Sequence, residues 1–284
     1  MKIECKDVSY RYDVPGHDWA LNGVSFTLEP GEKVAVVGPT GSGKTTLIQL
    51  LDALILPGKG DILYDGVSLR ELSRAGRLFS VRRRMGVLFQ FPENQFFHET
   101  AYEELTFALK NFFDLSDEEI ERRARVTAGR FNLDIDALKR VSPFNLSSGE
   151  KRRLALVSAL LTSPEVLILD EPTAGMDASG RRELTRLIAG LEGVTILLVT
   201  HNLEDFLEIA DRCLVLSQAR LVADIPRDRL LDRLDGLESE GVTPPLVLKV
   251  QDLLARQGVD LGGVVYSMDE LTGRLGSRLD SSRR

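Results

Sequence analysis

Cysteine is nearly absent: the 284 residues hold two, Cys5 and Cys213, far apart along the chain. That excludes a disulfide framework and a cysteine-built zinc site, and it suits a reducing compartment. Long apolar runs are missing too. None approaches the roughly 18–20 residues needed to span a bilayer, and Met1-Lys2-Ile3-Glu4 lacks the apolar core of a signal peptide. Basic excess is absent as well, with 36 Lys plus Arg against 43 Asp plus Glu and a formal charge of −7. A sequence-independent nucleic-acid binder draws its affinity from neutralising phosphates, so nucleic acid is not an expected partner. There are no internal repeats. What is there suits a soluble globular chain, 43% hydrophobic and 28% charged, and excludes wholesale disorder. The expectation is a cytoplasmic protein that serves a membrane, if it does, through partners.

The first thirty residues alternate: Ile3, Cys5, Val8 and Tyr10, then Val24-Ser25-Phe26-Thr27-Leu28. A period of two predicts half-buried antiparallel strands. Later runs, at 34–37, 87–89, 166–169 and 196–199, are apolar throughout. Such runs predict strands covered by helices on both faces. Residues 91–165 carry helical spacing and many charges, and Ser116 before Asp117-Glu118-Glu119 is a helix start. The reading is an α/β fold with an antiparallel β subdomain and a helical insertion at about 91–165. After His201 a helix over 203–210 should lead into a closing hairpin of 213–216 and 221–225. Pro226 breaks the pattern. Residues 226–284 then form a small, mostly helical C-terminal appendage, with a frayed tail after Leu275. The expected division is 1–225 and 226–284.

Gly38-Pro39-Thr40-Gly41-Ser42-Gly43-Lys44-Thr45 fits G-x-x-x-x-G-K-[ST]. It has the required context, a buried strand before it and an apolar helix opening at Thr46 after it. Glycines let backbone N–H groups converge on phosphate oxygens, and the helix N-terminus adds partial positive charge. Lys44 offers a point charge to the β and γ phosphates, and the Thr45 hydroxyl can ligate Mg²⁺. A second element, Val166-Leu167-Ile168-Leu169-Asp170-Glu171, is a buried strand ending in two carboxylates. Beside a phosphate loop, Asp170 suits the Mg²⁺ shell and Glu171 suits polarisation of an attacking water. The third is Leu146-Ser147-Ser148-Gly149-Glu150-Lys151-Arg152-Arg153, followed by an apolar helix over 154–161.

That third element resembles the signature of ATP-binding cassette (ABC) ATPases, approximately L-S-G-G-[QE]. The order of motifs matches as well: phosphate loop, Gln90 after a strand, signature, Asp170-Glu171, Ala174-Gly175-Met176-Asp177 and finally His201. The resemblance covers roughly residues 1–225 and implies a P-loop NTPase core of ABC type that uses ATP and Mg²⁺. It implies that Tyr12 stacks on adenine, with Tyr10 the competing ring. Gln90 would sense Mg²⁺ and a membrane partner, and Thr45, Gln90 and Asp170 would surround the metal. Glu171 and His201 would be catalytic, His201 reaching the γ-phosphate. Ser147, Gly149 and Glu150 would close over ATP held by a second subunit, and Asp177 would communicate across that dimer. His17 and His98 have no such place and are expected to be exposed.

A narrower resemblance lies in Leu88-Phe89-Gln90-Phe91-Pro92-Glu93-Asn94-Gln95-Phe96-Phe97 and the following Glu99-Thr100. This string is similar to ATPase subunits of energy-coupling factor (ECF) and cobalt-type transporters. It implies an importer of a vitamin or transition-metal ion, peripheral at the cytoplasmic face of the cell membrane. The implied partners are a second ABC ATPase subunit, a transmembrane coupling subunit and a separate membrane substrate-binding subunit. A heterodimer is favoured and a homodimer left open. The alternatives are an ATPase of another ABC transporter class, or a soluble ABC ATPase. Soluble ABC ATPases of DNA repair carry a coiled coil or zinc-binding cysteines, and translation factors carry two cassettes, features this sequence lacks. Leu246, Leu248, Leu253 and Leu254 are too few for an independent core, so the appendage is expected to support dimerisation. Glu93, Glu99, Glu103 and Glu104 are expected to meet arginines of the membrane partner. Ser148 departs from the family's glycine, a residue that lets backbone approach a phosphate closely.

Overall fold

Apolar runs flanked by glycine, proline or charge become buried strands, and the alternating segments become a half-covered sheet. In a computed structural model, which describes residues 1–13 and 18–281, the strands are β1 (Ile3–Tyr10), β2 (Leu21–Leu28), β3 (Lys33–Val37), β4 (Lys59–Tyr64), β5 (Val67–Ser68), β6 (Met85–Leu88), β7 (Val166–Asp170), β8 (Thr195–Val199), β9 (Arg212–Ser217) and β10 (Arg220–Pro226). One sheet, ordered β2-β1-β4-β5, is antiparallel throughout. The other is ordered β10-β9-β3-β8-β7-β6, parallel except for the closing hairpin of β9 and β10. Every residue of β7 and β8 is buried, as a strand with helices on both faces requires.

The pairing of β4 with β1 left no alternation to read, because β4 opens with exposed Lys59 and Gly60 and half-buried Asp61. Gly60 explains how the strands meet. Its φ is +71°, and a Cβ there would lie 2.2 Å from the Asp7 carbonyl oxygen, so only glycine lets β4 cross the irregular stretch of β1.

The helices are α1 (Lys44–Leu51), α2 (Leu69–Arg74), α3 (Leu78–Arg82), α4 (Ala101–Phe112), α5 (Asp117–Arg130), α6 (Ile135–Leu138), α7 (Ser148–Leu161), α8 (Ala178–Ala189), α9 (Leu234–Ser239), α10 (Leu246–Arg256) and α11 (Met268–Ser281). Ser116 caps α5, its hydroxyl accepting the Glu119 N–H at 3.3 Å. Helices α4 to α7 bury Leu105, Leu109, Ala124, Leu154 and Val157 in one cluster that reaches Leu167 and Leu169 of β7. The expected helix over 203–210 is only a 3₁₀ turn, Leu203–Phe206. The chain must enter β9 at once: the Asp211 N–H already bonds the Lys33 carbonyl at 2.7 Å.

In the appendage, Leu230, Leu234, Leu237, Val247 and Leu248 share an apolar cluster with Ala35 and Val37 of β3 and with Leu203 and Leu207. Leu254 packs on the same cluster, while Leu246 and Leu253 remain 57% and 60% exposed. The segment expected to fray after Leu275 continues α11 as far as Ser281, anchored by buried Leu271 and half-buried Leu275. Residues 282–284 lie outside the described residues, as does His17. No helix among the described residues is long and apolar enough to cross a membrane.

Candidate nucleotide site

Parallel register assembles the site. Val199 of β8 pairs with Val36 of β3 on one side and Asp170 of β7 on the other, and Leu88 of β6 pairs with Leu169. The carboxyl ends of these strands are therefore level, and the segments that follow them meet at one sheet edge, where open α/β sheets bind ligands. A cavity of about 510 Å³ opens there. Thr40, Gly41, Gly43, Lys44, Thr45 and Thr46 form one wall; Ala20, Gln90, Asp170, Glu171 and His201 complete it.

The glycines of the loop are fixed by close approach. Gly43 has φ +107°, and a Cβ would meet the Ala20 carbonyl oxygen at 2.4 Å; one on Gly38 would meet the Leu216 carbonyl oxygen at 2.1 Å. Lys44 Nζ donates to the carbonyls of Gly38 at 2.7 Å and Pro39 at 3.0 Å, which draws its charge under the loop. Burial pushes its pKa down, against the opposing pull of Glu171 and Asp170. The Thr45 residue is exposed at the cavity, and Ser42 is buried with its hydroxyl unpartnered among the described residues. Thr46 is buried in the first turn of α1, 3.2 Å from the Tyr12 hydroxyl, which also donates to Gln49 Oε1 at 2.8 Å. The strand alternation stops at Tyr10, which packs on the main core; Tyr12 lies beyond it, edge-on to Tyr10 at 5.0 Å and tethered to α1.

The carboxylates of Asp170 and Glu171 sit in different surroundings. Asp170 is 9% exposed, and no hydrogen bond or ion pair engages its side chain among the described residues. Burial, reinforced by the Glu171 charge and opposed by Lys44, pushes it up to about 6. A buried, unpaired carboxylate between an exposed Thr45 and an exposed Gln90 fits a hard cation with oxygen ligands. No cluster of three or more His, Cys, Asp or Glu side chains suited to a metal forms among the described residues, so this cation would share one carboxylate with substrate phosphates, the habit of Mg²⁺. Glu171 has φ +48°, a left-handed conformation that a non-glycine residue adopts at a cost. Its N–H bonds the Val199 carbonyl at 2.8 Å, and its Oε1 accepts the His201 N–H at 2.9 Å. The same oxygen lies 2.8 Å from His201 Nδ1, while Oε2 receives only a long bond from Thr200 at 3.4 Å.

The signature lies outside this cavity. Ser147 caps α7 and forms a capping box with Glu150: Ser147 Oγ donates to Glu150 Oε2 at 2.6 Å, and the Ser147 N–H reaches the same oxygen at 2.9 Å. The Glu150 carboxylate is thus committed locally. Ser148 is the exposed first residue of α7, and space around Gly149 is open. Asp177 caps α8, accepting the Gly180 N–H at 2.7 Å.

Sequence reasoning missed Arg152. It is 7% exposed on α7 and donates to the carbonyls of Gln90 at 2.9 Å, Pro172 at 3.0 Å and Ala174. One guanidinium therefore joins the signature helix to the glutamine loop and to the segment after Glu171. Nothing in the spacing marks it, since an arginine on a charged helix start reads as solvated. The acidic segment is partly used up. Glu103 closes a capping box with Thr100, and Glu104 Oε2 accepts the N–H groups of Phe97 and His98 and lies 3.1 Å from His98 Nδ1. His98 is accordingly half-buried rather than exposed, leaving Glu93 and Glu99 as the carboxylates without such partners.

A phosphate loop on a level parallel sheet, with an added antiparallel sheet and a capped signature helix on a helical insertion, defines an ATP-binding cassette. The sequence pattern of the family described as ABC transporter matches residues 21–174. The energy-coupling factor transporter ATP-binding protein EcfA2 of Symbiobacterium thermophilum is 42% identical over 95% of this chain and 94% of its own. Its namesake in Clostridium perfringens is 36% identical over 95% of each. Among solved structures, cbiO1 from Clostridium perfringens, described as part of the ABC transporter complex cbiONQ, matches with a TM-score of 0.72 at 29% identity, covering 88% of this chain and 98% of that one. A dimeric ATP-binding cassette in a post-hydrolysis state with ADP and Pi also gives 0.72, at 26% identity, over 79% and 98%. The chain belongs to the ABC transporter family, among its energy-coupling factor transporter ATP-binding proteins, and is an ATPase.

Proposed function

We propose that this ATPase is the motor of an ECF-type importer, coupling ATP binding and hydrolysis to uptake of a vitamin or transition-metal ion. The observation that carries the catalytic part is the single cavity joining the phosphate loop to Asp170, Glu171 and His201. The names of the relatives support the transport part. Phosphates of ATP sit on residues 38–46, where Lys44 and the N–H groups opening α1 meet negative charge. Tyr12, tied to α1, presents its ring to adenine. Thr45, Gln90 and Asp170 would hold Mg²⁺, whose charge would offset that of the phosphates. Glu171 divides its work between two oxygens. Oε1 fixes the His201 backbone and lies beside its ring, and the weakly engaged Oε2 orients the attacking water. His201 then faces the γ-phosphate.

Ser147, Gly149 and Glu150 stand away from their own chain's cavity, so this reading has them close over ATP on a second ATPase subunit, with Asp177 at the same junction. A non-identical subunit is favoured over a second copy. Residues 1–225 act as the cassette; residues 226–284 support pairing through exposed Leu246 and Leu253. A transmembrane coupling subunit meets Gln90 and Glu93, and a separate membrane protein binds the transported substrate. The chain thus works at the cytoplasmic face of the membrane, and its −7 charge gives nucleic acid no role. Purification from detergent-solubilised membranes with mass identification of bound subunits tests this. Two membrane proteins and a second ATPase are expected, Glu93→Arg should lose the two membrane proteins while keeping ATPase activity, and a chain recovered alone from membranes would reject the assembly.

A further inference from the structure

The appendage comes close to two segments that border the nucleotide cavity. At one, Gly241, two residues past α9 and with a left-handed φ of +75°, lies beside the phosphate loop. A Cβ on Gly241 would lie 3.6 Å from Pro39 Cγ, and residues 239–241 line a cleft together with residues 39–42. At the other, the Leu246 N–H that opens α10 donates to Glu204 Oε2. Glu204 belongs to the turn directly after His201. The next residue of that turn, Asp205, accepts the Thr173 hydroxyl at 2.8 Å, two positions beyond Glu171.

The chain between these contacts is Gly241-Val242-Thr243-Pro244-Pro245-Leu246. Two prolines fix their own φ angles, so the segment has little freedom to stretch or slacken. Val242 and Val247 anchor its ends in the same apolar cluster as Val37, which immediately precedes Gly38, and Leu203, which follows Asn202. Pro244 and Pro245 are themselves buried. Gly241 closes α9 in its own right, its N–H bonding the Glu238 carbonyl and the Val242 N–H the Leu237 carbonyl; a segment needed only to lead from one helix to the next would not require the acceptor at Glu204.

We infer that residues 241–246 form a strap holding the phosphate loop, through Val242 packed with Val37, and the His201 segment, through Glu204, at a fixed separation, with Glu204 as a positioning residue for hydrolysis. The inference rests on the roles proposed above for that loop and for His201. Hydrolysis depends steeply on such spacing, because a displacement of about 1 Å in a reacting group can cost roughly a hundredfold in rate. The strap also gives the appendage a route to the chemistry: whatever moves α9 or α10 moves one wall of the cavity against the other.

Steady-state ATPase of the full-length chain tests this. Glu204→Ala should lower kcat about threefold or more with KM for ATP changed by less than about twofold. Glu204→Gln, which keeps an acceptor oxygen, should restore most of the rate. Insertion of two glycines after exposed Thr243 slackens the strap without deleting a side chain and should lower kcat in the same way. Parent-like kcat in either the alanine variant or the insertion overturns the strap, and so does an equal loss in the alanine and glutamine variants. Glu171→Gln measured alongside separates the two levels, since near-normal turnover there would overturn the catalytic reading itself.

Discussion

Glu171 Oε1 accepts the His201 backbone N–H at 2.9 Å and lies 2.8 Å from the ring Nδ1 of the same residue. The backbone bond fixes where the chain leaves β8, and the close ring contact keeps the imidazole beside the carboxylate at the cavity. Glu171→Gln should therefore bind ATP normally and turn over at least ~100-fold more slowly, the order expected for a positioned water-activating group. Lys44→Ala should instead weaken nucleotide affinity. Titration with nucleotide and an ATPase assay on both variants distinguish the two roles.

Asp170 should trade stability for function. Its native pKa of about 6 lies above the ordinary 3.8, so between those values the folded chain keeps a proton that the unfolded chain has lost. Stability from this group is thus greatest at low pH and falls as pH rises through that window. Asp170→Asn removes the cost and should stabilise the nucleotide-free chain at pH 8 by on the order of 2 kcal/mol. The same variant should lose Mg²⁺ dependence, and the parent should need more Mg²⁺ below pH 6. Denaturation and Mg²⁺ titration at two pH values measure both effects.

Arg152→Leu should destabilise the chain by about 3 kcal/mol, because it strands three carbonyls that one guanidinium satisfies. Lysine at that site carries no planar fork and should recover only part of the loss. Chemical denaturation of the two variants is sufficient; equal stability of parent and Arg152→Leu would remove the clamp.

Ser148→Gly should raise the ATPase rate of the assembled complex about twofold, since glycine lets the start of α7 approach a phosphate without a Cβ. An unchanged or lower rate would show that Ser148 points away from the nucleotide.

The strands were readable because four apolar residues in a row admit few other placements, and the phosphate loop because its residues are contiguous. Arg152 was not. Its work depends on carbonyls at 90, 172 and 174 that only the fold brings together, and no local spacing encodes them. β4 escaped notice because its partner is more than fifty residues earlier and Gly60, the residue that permits the crossing, also reads as a turn. Glu150 shows the opposite case. Its S-x-x-E spacing with Ser147 is a capping signal in plain view, and a functional motif laid over it drew attention to the nucleotide instead.

The location of Ser147 and Gly149 outside the cavity formed by Lys44 and Glu171 has a genetic consequence. If two copies or close relatives pair as proposed, each nucleotide draws one half of its site from each chain. A Lys44 allele and a signature allele, each inactive alone, would then complement: pairing one of each concentrates both lesions in one site and leaves the other whole. Two phosphate-loop alleles could never do so. Crossing such alleles would count half-sites in living cells without any structure at all.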